Sequence, residues 1–288
     1  MIQALYDAMY TGWTFFLVFF VSVTVIMLSR QLLAVLFYAK FKKGTILQGP
    51  RTPRDVTLFV TIYDEEPEIL EQSLSGVRRS FSTYCSNFNL IAIVDGYHKF
   101  PKKGPLQAEV ADKYADLVLT TNACSKRENI RNMMEEAKKR NLVLEFSAFL
   151  DSDTILDSDE VAQEIMRPFA DPSIGGVSSL QRVLDPQSTP ERIGDWLESA
   201  RIHSSMAAGS LFGQVGCLPG RLYVVRSSIV RDRMTDLVED YWSTPFLGSS
   251  QCIAGDDRVI TNFVLQAGYK TVMMPTASVK TLVPDTYP

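Results

Sequence analysis

The sequence predicts an α/β domain with a mostly parallel sheet, preceded by one N-terminal transmembrane helix. No charged residue occurs between Asp7 and Arg30, a stretch long enough to cross a bilayer as a helix. Beyond residue 55, short apolar runs rich in β-branched residues alternate with helical patterns, as in a parallel sheet covered by helices. Several of those runs end in acidic residues, and open α/β sheets bind ligands at their carboxyl edge.

The 288 residues suffice for one sizeable domain with an appendage. A content of 46% hydrophobic and 22% charged residues excludes disorder as the explanation of the chain. The net charge of -4 and pI near 5.4 give no footprint for nucleic acid, which is not an expected partner. Cys85, Cys124, Cys217 and Cys252 are scattered without Cys-x-x-Cys spacing, and only His98 and His203 could join them. Reduced thiols in a cytosolic setting fit this pattern better than a zinc site.

In chain order, residues 1–40 form the membrane helix. Trp13 to Leu28 is apolar on every helical face. A buried core helix is normally shorter, and a cleaved signal needs a basic start and a small-residue cleavage site, both missing here. The helix is expected to continue from Gln31 to Tyr38, with Arg30 snorkelling to a headgroup. Lys40, Lys42, Lys43, Arg51 and Arg54 follow, against Asp7 on the other flank. The positive-inside rule therefore puts the N-terminus outside and the rest in the cytoplasm, as an integral protein of the plasma membrane. Residues 41–55 read as a linker, and 56–288 as the cytoplasmic domain.

Strands are expected near 56–62, 88–94, 117–120, 144–150, 174–180, 221–226 and 269–273. Pro67 suits a first helical position, with Glu65, Glu66 and Glu68 at the helix's positive end and Ile69, Leu70, Leu74 and Val77 as the buried stripe. Further helices are expected from Lys126 to Arg140 and, as one longer element, from Glu191 to Leu211.

The acidic strand ends are Tyr63-Asp64-Glu65-Glu66, Val94-Asp95-Gly96 and Leu150-Asp151-Ser152-Asp153. An Asp-x-Asp behind an apolar strand offers hard oxygen ligands to a divalent cation carrying a nucleotide diphosphate. Each aspartate taken singly is more often a turn or cap residue than a functional one. In a doubly wound sheet, however, the three ends converge on one crevice.

Taken in order, Val60-Thr61-Ile62-Tyr63-Asp64-Glu65, Val94-Asp95-Gly96, Lys126-Arg127-Glu128-Asn129, Asp151-Ser152-Asp153, Val215 to Arg221 and Gly255-Asp256-Asp257-Arg258 resemble the motifs of the membrane-integrated processive family 2 glycosyltransferases. That family includes hyaluronan, chitin, cellulose and capsular polysaccharide synthases. The resemblance covers about Val56 to Val283; Gly-Asp-Asp-Arg is its most specific motif and looks most like hyaluronan synthase.

The resemblance implies a nucleotide-diphospho-sugar transferase fold of the type A glycosyltransferases. It implies a UDP-sugar donor, an oligosaccharide or polysaccharide acceptor, and inverting transfer giving a β-linked product from an α-linked donor. Tyr63, Glu65 and Asp95 would contact uracil and ribose, with Lys126 and Arg127 near the nucleotide unless they are simply a solvated helix start. Asp153 would hold Mg²⁺ or Mn²⁺, and Asp151 would contact the nucleotide or help hold the metal. Asp257 would be the general base, with Asp256 as alternate, although adjacent aspartates also cap helices. Cys217, Gly220, Arg221 and Arg258 would form the acceptor side, with Arg221 or Arg226 on the acceptor or the diphosphate; Cys217 reads equally as a small buried packing residue, and Trp242 as a sugar-stacking residue or a core or surface-loop one.

Processive members continue with a Gln-x-x-Arg-Trp motif and further membrane helices, neither of which follows Ser278 to Thr286 here. The expectation is a domain truncated at its C-terminus, or one whose missing segment a partner supplies. The alternatives are single-sugar transfer to a lipid carrier and a membrane-tethered UDP-binding module without catalysis.

Overall fold

The computed structural model describes residues 2–122, 125–239, 241–244, 248–251 and 255–282. Cys124, Cys252, the side chain of Trp242 and the segment from Val283 lie outside the described residues and side chains. Helix α1 spans Ile2–Lys42, 41 residues or about 62 Å, roughly twice the ~30 Å hydrocarbon core of a bilayer. Its two halves behave differently. From Thr11 to Arg30 every residue is exposed and none before Arg30 is charged, and the helix is long and apolar enough to cross a membrane. Beyond Arg30 the helix continues, as expected, but Ala34, Phe37 and Phe41 are buried against the domain.

The domain then alternates strands and helices: β1 (Val56–Ile62), α2 (Pro67–Tyr84), β2 (Phe88–Asp95), α3 (Lys103–Tyr114), β3 (Leu117–Thr121), α4 (Lys126–Lys139), β4 (Phe146–Asp151), β5 (Thr154–Leu156), α5 (Val161–Met166) and β6 (Ile174–Val183). Next come α6 (Thr189–Ala200), a π-helical turn (Arg201–Met206), α7 (Ala207–Phe212), β7 (Leu222–Arg226), α8 (Ser227–Val230) and α9 (Met234–Val238). The hairpin β8 (Tyr241–Thr244) and β9 (Gly248–Gln251), α10 (Asp256–Gln266) and β10 (Lys270–Thr281) complete the order.

The large sheet has the order β3-β2-β1-β4-β7-β6-β10-β5. β1, β2, β3 and β4 are mutually parallel, as are β6 and β10, whereas β7 runs antiparallel to both its neighbours and β5 antiparallel to β10. Both faces are covered, so the central strands are largely buried along their length. In β1, Val56, Leu58, Val60 and Ile62 pack in one layer with Leu70, Leu74 and Phe81 of α2. Phe59 packs in the opposite layer with Ile130, Met133 and Met134 of α4.

Two local features differ from the sequence expectation. The helix expected from Glu191 to Leu211 is split by the π-helical turn, which carries Ile202 and Met206 into the layer that holds Ala34 and Phe37 of α1. There the Tyr38 hydroxyl and His203 Nδ1 share a hydrogen bond of 2.7 Å. The last strand runs to Thr281, well past 273, and shifts register between Met274 and Ser278.

Candidate active site

The order β3-β2-β1-β4 reverses direction of growth at β1, so the carboxyl ends of β1, β2 and β4 open onto one crevice. A cleft of about 430 Å³ lies there, lined by Thr61, Ile62, Tyr63, Glu65, Asp95, Lys99, Lys126, Asn129 and Ser152. Lys99 Nζ donates to the Tyr63 hydroxyl at 2.8 Å and stands 5.4 Å from its ring centroid. Phe100 meets the same ring edge to face. Asp95 is buried and accepts the Gly96 N–H at 2.8 Å. Asn129 is buried too, and its side-chain oxygen has no hydrogen-bond partner within the protein. Such a group in a cleft wall is a ready contact for a ligand.

Next to the cleft, Ser152 Oγ donates to Glu65 Oε1 at 3.0 Å. Burial, with Asp153 and Asp151 nearby, holds the Glu65 carboxyl above its ordinary range despite that bond. Asp153 is raised in the same way, first by burial and then by Asp151, although Thr281 Oγ1 donates to its Oδ2 at 2.7 Å. The mutual repulsion of these three acids is the electrostatic condition that a divalent cation relieves. Among the described residues no group of three or more His, Cys, Asp or Glu side chains is spaced to hold a metal ion unaided. One or two carboxylates completed by substrate phosphates is how Mg²⁺ is ordinarily bound, so Asp151 and Asp153 fit such an ion.

Lys126 opens α4, behind a capping box in which Ser125 and Glu128 each satisfy the other's backbone N–H. It is not a solvated helix start. Its Nζ lies 2.5 Å from Asp151 Oδ1 and 3.5 Å from Asp256 Oδ2. Burial alone would lower its pKa, but Asp151 and Asp256 outweigh that and raise it. Gly220 makes the close packing possible: a Cβ there would stand 3.1 Å from Asp151 Oδ2 and 3.3 Å from Lys126 Nζ.

Gly255, at φ 79°, takes the N-cap position of α10 and turns the chain so that Asp256 and Asp257 enter the helix. Asp256 is buried, and burial raises its pKa while Lys126 lowers it. Asp257 is half-buried. Its Oδ1 accepts the Arg258 N–H at 2.7 Å, and its Oδ2 accepts the Cys217 thiol at 3.4 Å. Burial, followed by Asp257, pushes the Cys217 thiol up to about 11. Arg258 is exposed beside this pair.

Arg221 begins the approach to β7, where its carbonyl accepts the Asp151 N–H at 3.3 Å. Its Nη2 is 3.4 Å from Glu198 Oε1, its buried Nη1 has no protein partner, and its charge lowers the Asp153 pKa. A second cavity, about 440 Å³, runs from Gly216 and Cys217 to Arg30 and Leu33 of α1.

Two expected site residues lie elsewhere. Arg127 is 3% exposed and donates to the Leu237 carbonyl at 3.2 Å, so it ties α4 to α9 and does not line the cleft at the ends of β1, β2 and β4. Arg226 pairs in register with Phe146, at the amino end of β4. Because β7 is antiparallel, that end is five residues, or about 17 Å, from Asp151. Arg226 donates to the Ile174 carbonyl at 2.9 Å and stacks over Phe146 and Phe169.

Sequence reasoning missed Lys99 and Tyr223, and gave Asn129, though it stands in the Lys126–Asn129 motif, no role. Tyr223 is wholly buried, stacks on Phe149, and has a hydroxyl without a protein partner, surrounded by the charges of Asp256, Asp257 and Asp151 that, after burial itself, raise its pKa. Only its neighbourhood to the Val215–Arg221 block pointed to it.

Residues 53–287 match the family model "Glycosyltransferase like family 2". The chain is 27% identical over 289 residues to hyaluronan synthase 2 of Mus musculus, covering 85% of this chain and 49% of the relative. It is 26% identical over 307 residues to hyaluronan synthase 3 of the same organism, covering 91% and 53%. The chain thus spans about half the length of the curated relatives it matches. Among solved structures, a mannosyltransferase from Pyrobaculum calidifontis in complex with GDP-Man and Mn²⁺ aligns with TM-score 0.56 at 16% identity, over 90% of this chain and 68% of that one. GalNAc-T7 with UDP, GalNAc and Mn²⁺ aligns with TM-score 0.50 at 13% identity, over 80% and 43%. The architecture is therefore that of the type A glycosyltransferases. With the match extending over most of its length, the chain belongs to the family 2 glycosyltransferases.

Proposed function

We propose that this domain carries out inverting, metal-dependent transfer of a sugar from a UDP-sugar to the non-reducing end of a growing β-linked polysaccharide of hyaluronan-like or capsular kind. The observation that carries this reading is the juxtaposition of the Asp151–Asp153 strand end with Asp256 and Asp257 at the start of α10, held together through Lys126. In this reading Tyr63, Glu65, Asp95 and Asn129 take the nucleoside. Arg221 carries positive charge toward the diphosphate or the acceptor. A divalent cation, Mg²⁺ or Mn²⁺, held by Asp153 with Asp151 would act as a Lewis acid and neutralise the charge of the departing UDP. The solved relatives holding GDP-Man or UDP with Mn²⁺ support that expectation.

Asp257 accepts the proton of the attacking acceptor hydroxyl. Asp256 is buried on Lys126, whereas the half-buried Asp257 carboxylate is reachable and already holds a proton donor, Cys217. An acceptor hydroxyl replacing that thiol would stand within reach of a base. Asp257→Asn is expected to lower transfer by about 10² to 10⁴ with UDP binding nearly intact. Transfer measured as UDP release from a panel of UDP-sugars decides the point, and normal turnover by the variant excludes Asp257 as the base.

The cavity that joins Cys217 to Arg30 at the foot of the exposed apolar half of α1 favours a second reading, transfer of one sugar to a lipid carrier. Size-resolved product analysis separates the two, because only the first gives a polymer. In both readings the N-terminus lies outside the plasma membrane and the domain from Val56 onward is cytoplasmic.

A further inference from the structure

Among the described residues, Lys126 makes ion pairs to both halves of the site: to Asp151 on the donor side at 2.5 Å and to Asp256 on the acceptor side at 3.5 Å. One ammonium is thus shared by two carboxylates that belong to different functions in the proposed reaction, and it favours the first. The surroundings leave it room to change that balance. A void of about 10 Å³ is lined by Lys126, Asp151, Tyr223 and Asp256. Gly220 withholds the Cβ that would close it. The floor is rigid, because Tyr223 is wholly buried and stacked on Phe149.

We propose that Lys126 is a positioning residue that couples donor binding to the acceptor side. As the Asp151 carboxylate turns toward the cation that accompanies the donor, the ammonium passes its pairing to Asp256 and fixes the first turn of α10. Asp257, the next residue, is thereby set for the acceptor, and the base is aligned only when a donor is present. The inference rests on the roles given above to Asp151, Asp153 and Asp257.

Cys217, bonded to Asp257, provides a reporter that needs no acceptor. The full chain in detergent is treated with iodoacetamide with and without UDP and Mn²⁺, and alkylation of Cys217 is followed by peptide mass spectrometry. UDP binding is measured alongside by calorimetry for the native chain, Lys126→Gln and Lys126→Arg. UDP with Mn²⁺ is expected to change the Cys217 rate by about fivefold or more in the native chain, a typical coupling between sites. Lys126→Gln, assayed at UDP and Mn²⁺ concentrations that saturate it whatever its affinity, is expected to show no change in rate, and Lys126→Arg to restore it. The same change in Lys126→Gln, or no change in the native chain despite UDP binding, overturns the coupling. Loss of UDP binding in Lys126→Gln also overturns it, making Lys126 a nucleotide ligand. If the native chain binds no UDP, the transferase reading fails first and the coupling fails with it.

Discussion

Cys217 shows how one contact can report on a site. Its thiol is moved from 9.0 up to about 11, first by burial and then by the Asp257 carboxylate. Both causes disfavour the thiolate, the reactive form. At neutral pH its alkylation should therefore run roughly a hundredfold slower than that of an ordinary exposed cysteine, and should rise with pH toward about 11. Asp257→Asn removes the negative neighbour, so the variant should react faster and at lower pH, with burial still keeping it slower than a free thiol. A rate profile unaltered by Asp257→Asn would show that the two side chains are not in contact. The acidic residues of the site are legible in the sequence because each closes an apolar run or opens a helix. The partners that set their charge states are not legible. Lys126 reaches Asp256 across 130 residues of chain, and no local pattern encodes that distance in space.

At the scale of elements, strand direction explains most of what the sequence conceals. The parallel strands β1, β2 and β4 stand out as apolar runs, and their ends converge as expected. The periodicity of β7 is indistinguishable from theirs, yet it is antiparallel, which carries Arg226 to the far edge of the sheet and leaves Arg221 at the site. The helix from Glu191 to Leu211 is legible as a helix, but the widening at Arg201–Met206, which packs on α1, has no sequence signature. A second tertiary tie joins the linker after α1 to the domain. Glu164, 5% exposed, accepts from Arg51 at 2.8 Å, from Arg167 at 3.0 Å and from Thr276 Oγ1 at 2.6 Å. Burial alone would raise its pKa, but Thr276, Arg167 and Arg51 together hold it below its ordinary value. Its contribution to stability is thus fully present above the unfolded-state value near 4.5 and is lost as pH falls through the lower folded value. Glu164→Gln should cost about 2 kcal/mol, below the full penalty for a buried pair because Arg51 is exposed. Denaturant unfolding of the variant checks this, and an unchanged midpoint at neutral pH would show the tie to be dispensable.

At the scale of the whole molecule, α1 joins a membrane-compatible segment to a folded domain without a break. Residues 11–29 are exposed and uncharged, and the next three turns bury one face, Ala34, Phe37 and Phe41, against the domain, so the domain is held close to the membrane if the helix spans it. The positive flank from Lys40 to Arg54 predicts the topology. A single reporter cysteine introduced as Gln3→Cys should react with an impermeant reagent on intact cells, and one introduced as Ser86→Cys should not. Reversed labelling would place the domain outside and contradict the orientation. The cavity at Cys217 opens toward this helix and the cleft lined by Tyr63 and Asp95 lies at the ends of β1 and β2, so Asp151, Lys126 and Asp256 would be where the proposed acceptor and donor meet. The central claim is that this meeting point is a metal-dependent nucleotide-sugar site. Calorimetric UDP binding in detergent, with and without Mn²⁺, tests it most directly when the native chain is compared with Asp153→Asn. The account predicts binding that depends on Mn²⁺ and is lost in the variant; binding of equal strength in both chains, or in the native chain with and without the metal, would contradict it.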